Sequence, residues 1–109
     1  MLVPVRVAGA SLTAAGLAAW VLSRAGQEEP AGRCTRLQDA LDEGLRADSR
    51  APVAVPRGVV AEAVALWEQA AGLLEAGASV HPHRPQPQED EQAAARLRIR
   101  SRSLRRLLE

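Results

Sequence analysis

Val7 to Ser23 reads VAGASLTAAGLAAWVLS, seventeen residues without a charge, closed on either side by Arg6 and Arg24. As a helix this stretch is about 26 Å long, a little short of the roughly 30 Å hydrocarbon core of a bilayer. Leu2, Val3 and Val5 extend it if Arg6 snorkels, and Trp20 stands where an interfacial ring would sit. The first reading is therefore a membrane-spanning helix or signal-anchor over residues 1–26. Its apolarity is diluted by alanine, glycine, Ser11 and Thr13, so insertion of the lone helix is marginal. Three other readings fit the same residues. Ser23-Arg24-Ala25 has the small-x-small form of a signal cleavage site, an acid-free segment with arginines suits a mitochondrial presequence, and a buried helix of a soluble fold also has this composition. Ser11, Ala15 and Ala19, with Ala10, Ala14 and Ala18 beside them, form two rows of small residues that allow close helix approach.

Outside this stretch the chain is short of material for a core. In 109 residues there is no Phe or Tyr, and the aromatics are Trp20 and Trp67 alone. Large side chains supply most buried apolar area, which argues against an ordinary globular enzyme. All 14 basic residues are arginine, and the net charge of +1 conceals a sorting along the chain. Residues 1–27 hold two arginines and no acid, residues 28–95 hold six arginines and twelve acids, and residues 96–109 hold six arginines and Glu109. Three zones with different environments follow from this sorting. The single cysteine, Cys34, excludes an internal disulfide.

The acidic zone follows a polar linker at 27–34. Thr35 and Gln38 have capping-box spacing, and Leu37, Leu41 and Leu45 give one apolar stripe on a short helix ending near Arg46. Asp48 to Arg57, with Pro52 and Pro56, reads as an extended connector. The best-marked helix runs from Val59 to Ala76. Its stripe of Val60, Val64, Trp67, Ala71 and Leu74 is spaced four and three, with Gly77 at the C-cap. A hairpin of two such helices has a thin core, so the expectation is that this 35–77 region docks on a protein partner with Trp67 as anchor, the alternative being Trp67 as an intramolecular core residue.

Residues 78–90 contain HPHRPQPQ, a Pro-rich linker. A basic amphipathic helix is expected over 91–109. Ala94, Leu97, Ser101, Leu104 and Leu108 make its narrow apolar seam, walled by Arg98, Arg100, Arg102, Arg105 and Arg106. Such a helix suits an anionic membrane surface or an acidic partner; without an aromatic platform nucleic acid fits poorly. Arg98-x-Arg100-x-x-Ser103 resembles a basophilic kinase site, which makes Ser103 a phosphorylation candidate that would weaken the tail's hold on anions. Leu104-Arg105-Arg106-Leu107-Leu108 resembles the LxxLL box of nuclear-receptor coactivators, a resemblance that covers five residues and implies insertion of a short helix into a receptor groove.

No pattern supports catalysis, a metal or a cofactor. His81 and His83 lie two apart with no third ligand nearby, and there is no phosphate-cradling glycine loop or zinc spacing. Arg33 and Arg36 flank Cys34 and would lower its thiol pKa. Glu43-Gly44-Leu45-Arg46 resembles the opening of phage lysozyme domains, but the residues after it carry nothing of such a catalytic domain.

The combined expectation is an all-α, elongated chain: one N-terminal membrane-spanning helix, then two or three amphipathic helices joined by Pro-rich linkers, partly disordered. The function expected is that of a non-enzymatic single-pass accessory or assembly subunit in a membrane protein complex, first of all in the mitochondrial inner membrane. It would bind protein partners and no small-molecule substrate. The alternatives are a secreted or lumenal helical peptide freed near Ala25, and a soluble regulator binding through the LxxLL helix.

Overall fold

Prolines and two left-handed glycines lay out the chain. A computed structural model describes residues 1–81 and 83–109. It contains four helices: α1 (Val5–Arg24), α2 (Glu28–Ala47), α3 (Arg57–Glu75) and α4 (Pro87–Leu108). Each begins at or beside a proline. Pro4 and Pro56 are the N-caps of α1 and α3, Pro30 lies in the first turn of α2, and Pro87 opens α4. These are the positions where a missing N–H costs nothing and a fixed φ favours the helix. Four of the prolines are therefore helix starts, while among the described residues 48–56, with Pro52, and 76–81 and 83–86 are non-helical connections; the partial disorder expected of such stretches is not shown.

The same reasoning corrects the helix boundaries. Residues 27–34 are not a linker, because α2 starts at Glu28 and runs through Pro30 and Gly32. Thr35 is consequently inside the helix, where its hydroxyl donates to the Gly32 carbonyl at 2.7 Å instead of capping. The fourth helix likewise starts four residues before the expected position, with Glu89 and Asp90 in its first turn and Arg105 and Arg106 in its last. That arrangement complements the helix dipole at both ends.

Gly26, at φ +80°, and Gly77, at φ +113°, end α1 and α3 in left-handed turns. The Gln27 N–H donates to Leu22 O at 2.8 Å and the Ala78 N–H to Leu73 O at 2.9 Å, the long bond of a Schellman stop. The Gly26 turn reverses the chain within three residues, so α1 and α2 form a helical hairpin. The second extensive pairing is α3 with α4, and α1 packs on both of these as well.

A minimal sheet ties the start of the chain to the α2–α3 connection. β1 (Leu2–Val3) pairs antiparallel with β2 (Val53–Ala54), Leu2 opposite Ala54 and Val3 opposite Val53. The Val55 N–H donates to Met1 O at 2.8 Å, continuing the ladder. Val3, Val53 and Val55 are buried beneath this clasp.

One core joins all four helices. α1 contributes Ala8, Ala14, Ala15, Ala18, Val21 and Leu22; α2 Ala31, Cys34, Leu37 and Leu41; α4 Ala93, Ala94, Leu97 and Leu104. From α3 come Val60, Val64, Trp67, Ala71 and Leu74, the expected stripe, widened by Ala63, Leu66 and Ala70. The small residues on α1 let the helices approach closely, so the single Trp67 and a few leucines suffice to fill the interior. The radius of gyration is 13.5 Å, against about 13 Å for a compact domain of this length. The body measures 39 × 23 × 22 Å, longer than it is wide, and its helices close on one another as a bundle instead of being strung out along linkers. Within it, α1 remains a helix long and apolar enough to cross a membrane.

Candidate functional site

The residues expected to dock a partner are inside the molecule. Val60, Trp67 and Ala71 are fully buried, and Val64 and Leu74 nearly so. Their partners are the chain's own helices, because α1 returns across the body and α4 folds back along α3. As a partner surface this stripe is corrected: it is core. Trp67 keeps one polar oddity, an indole N–H buried without an acceptor among the described residues.

The basic tail divides into two sets. Arg98 pairs with Glu75 and Arg105 with Glu68, stitching α4 to α3. Arg100, Arg102 and Arg106 form no ion pair among the described residues, and neither does Arg96, one turn earlier. The expected seam holds, with Ala94, Leu97, Ser101 and Leu104 buried and Leu108 half-buried. That burial removes the LxxLL reading in this conformation, since Leu104 is 1% exposed and a receptor groove needs it free. Arg57 also donates to the Leu108 carbonyl, fixing the end of the helix to the start of α3. Ser103 is half-buried and its hydroxyl donates to Ile99 O at 3.2 Å.

Cys34 is wholly buried, and its thiol is pushed up to about 11, first by burial and then by the charge of Glu62, with Arg33 acting weakly in the opposite sense. The activating effect expected of the flanking arginines is overridden by desolvation. His81 lies 3.4 Å from a Glu89 carboxylate oxygen. Among the described residues no three His, Cys, Asp or Glu side chains converge as a metal-binding group.

The connection between α3 and α4 is held by both neighbouring helices. The Trp20 indole N–H donates to Val80 O at 2.8 Å. Asp90, nearly buried at the start of α4, accepts from Val80 N at 2.9 Å and from the Ser79 hydroxyl at 3.2 Å. Both backbone polar groups of Val80 are thereby held, its carbonyl from α1 and its N–H from α4. The Arg24 guanidinium lies 4.3 Å from the centre of the Trp20 ring, an exposed cation–π contact.

These contacts border a surface that sequence reasoning did not assemble. The outward side of α1 carries Arg6, Ala10, Thr13, Leu17, Trp20 and Arg24 at helical spacing, exposed or half-buried. Arg96 and Arg100 of α4 stand beside it. A hollow of about 280 Å³ between the helices is lined by Ala10, Thr13, Leu17, Arg96 and Arg100. A second, of about 370 Å³, is lined by Arg6, Ala10, Arg100 and Ser103. No acid occurs on α1, nor from Gln92 to Leu108 on α4; the acids collect on α2, α3 and the first turn of α4. Two large apolar side chains, Trp20 at 45% and Ile99 at 54% exposure, project from these two helices. The signal in the sequence was the charge sorting, which places arginines at both ends of the chain; their meeting on one face depends on tertiary structure. No protein-family model matches this chain, and neither a curated protein nor a solved structure does so.

Proposed function

We propose that this chain is a non-enzymatic, membrane-attached accessory protein of a larger protein complex, with α1 as its membrane element. The observation that carries the reading is α1 itself: an acid-free helix of 20 residues, apolar enough to cross a membrane, whose outward side is uncharged between Arg6 and Arg24. Bundle helices ordinarily turn a charged side outward. The mitochondrial inner membrane is the location we propose, because an arginine-containing, acid-free N-terminal segment suits import into that compartment. The acidic α2–α3 side is then left for protein partners.

The test is to fractionate native cells and measure the intact mass of the protein in each fraction. A species that retains residues 1–25 is expected in the membrane pellet, and mitochondria should carry it. A second reading is favoured by the burial of α1's inner side, which suits a core helix of a water-soluble bundle. It expects the full-length chain in the soluble fraction. A soluble form lacking the first 25 or so residues would instead mark a processed peptide, and would have lost one wall of the core.

A further inference from the structure

We infer that the bundle docks, closed, on an anionic phospholipid bilayer through the face shared by α1 and α4. This rests on the membrane reading above and specifies how attachment is made. An ordinary amphipathic helix turns its apolar side inward and meets water with charges. Here α1 uses Ala8, Ala15, Ala18 and Leu22 against the core, all without measurable exposure, and still presents Leu17 and Trp20 outward. The apolar centre of this face is therefore available while the fold remains intact.

Charge selects the partner. Arg6, Arg96 and Arg100 surround the α1–α4 hollows and pair with no acid among the described residues. Arg24 lies against the ring of Trp20, so a cation and an interfacial aromatic are presented together. Arginines at the rim with an indole and aliphatic groups between them match an anionic headgroup layer over acyl chains. A zwitterionic bilayer has no net negative surface charge to draw the guanidinium groups in.

Attachment by the closed bundle also explains the packing better than threading α1 through the membrane. α2 carries acids and arginines along its length and cannot follow α1 into hydrocarbon. A spanning α1 would therefore have to leave the hairpin, uncovering Cys34, Leu37 and Trp67, which are at most 2% exposed in the bundle. Docking by the outer side demands no such opening.

The experiment is sedimentation of the full-length protein with vesicles of phosphatidylcholine alone and of phosphatidylcholine mixed with phosphatidylglycerol. Maleimide labelling of Cys34 is followed in the same tubes. Binding is expected only with phosphatidylglycerol present, and should weaken as salt is raised. The variant Arg96→Gln/Arg100→Gln should bind at least about tenfold more weakly, while Arg96→Lys/Arg100→Lys retains binding. Both pairs are surface changes, and their helical content can be checked by circular dichroism. Cys34 should remain unlabelled on the vesicles and become labelled in denaturant. Equal binding to both vesicles, no binding, or undiminished binding of the Gln variant overturns the proposal. So does Cys34 labelling on vesicles, or salt-resistant insertion, and in those two cases the broader membrane reading survives. Recovery of the full-length chain only in the soluble fraction of cells overturns both.

Discussion

Replacing Trp67 with alanine distinguishes a core residue from a docking residue. The side chain has no exposed surface and is the largest in the interior. Removal of a buried Trp to Ala costs about 3–5 kcal/mol. A domain of this size has only about 5–15 kcal/mol in total, so the variant should be severely weakened even without a partner. In urea, where stability changes by about 1–3 kcal/mol per molar, the unfolding midpoint should fall by about 2 M. Trp67→Phe separates the two contributions. It keeps a ring in the site and removes an indole N–H that has no acceptor among the described residues. Burying such a group costs about 1–3 kcal/mol, so the Phe variant should lose less than half as much as the Ala variant. The assay is urea unfolding of the purified chain by far-ultraviolet circular dichroism. An Ala variant within about 0.5 kcal/mol of the parent, the range of ordinary surface changes, would place Trp67 on the surface and refute the packing described.

Other expected outcomes follow from the same core. A Cβ on Gly44 would lie 2.5 Å from Cγ1 of Val53, so Gly44→Ala should destabilise by about 1–2 kcal/mol even though alanine favours a helix. With Val53→Ala present only the Cβ remains close, at 3.3 Å, so most of the Gly44→Ala penalty should disappear, and a double-mutant cycle by urea unfolding reads that coupling. Gly32→Ala, which meets nothing within 4 Å, should gain up to about 1 kcal/mol in the same assay. Cys34 supplies a pH dependence. Its thiol is raised from 9.0 to about 11 in the folded chain, so the unfolded state releases its proton first. Its contribution to stability is complete below about pH 9 and is lost as pH rises towards 11. Unfolding midpoints across that window should therefore fall more steeply for the parent than for Cys34→Ala.

Much of the secondary structure was legible because it rests on local spacing. The α3 stripe, the Gly77 stop and the α4 seam all follow a rhythm of three and four residues, and each is found where that rhythm places it. Pro30 and Gly32 misled the reading of α2, since their residue types suggest a linker whereas their positions lie in the first turns of a helix. The larger miss concerned closure. A chain with so few bulky side chains does not suggest an enclosed core, and the composition of α1 suits lipid and a core alike. The small residues that suggested close packing in a membrane serve the same purpose within the bundle, with Ser11, Ala14, Ala15 and Ala18 all buried. Composition specifies that α1 approaches something closely and leaves open what it approaches. The candidate face was hidden for a related reason. Arg6 and Arg100 are separated by almost the whole chain, and only the packing of α1 on α4 brings them to one hollow.

The most direct test of the account is amide hydrogen exchange on the full-length protein in water without detergent. If α1 is a wall of the bundle, amides from Ala14 to Leu22 should be protected to the same degree as those from Ala63 to Leu74. Both sets should lose protection together in Trp67→Ala. Rapid exchange along α1 beside a protected α3, or a chain that folds only when lipid or detergent is supplied, would contradict the closed bundle and return α1 to the membrane as an independent span.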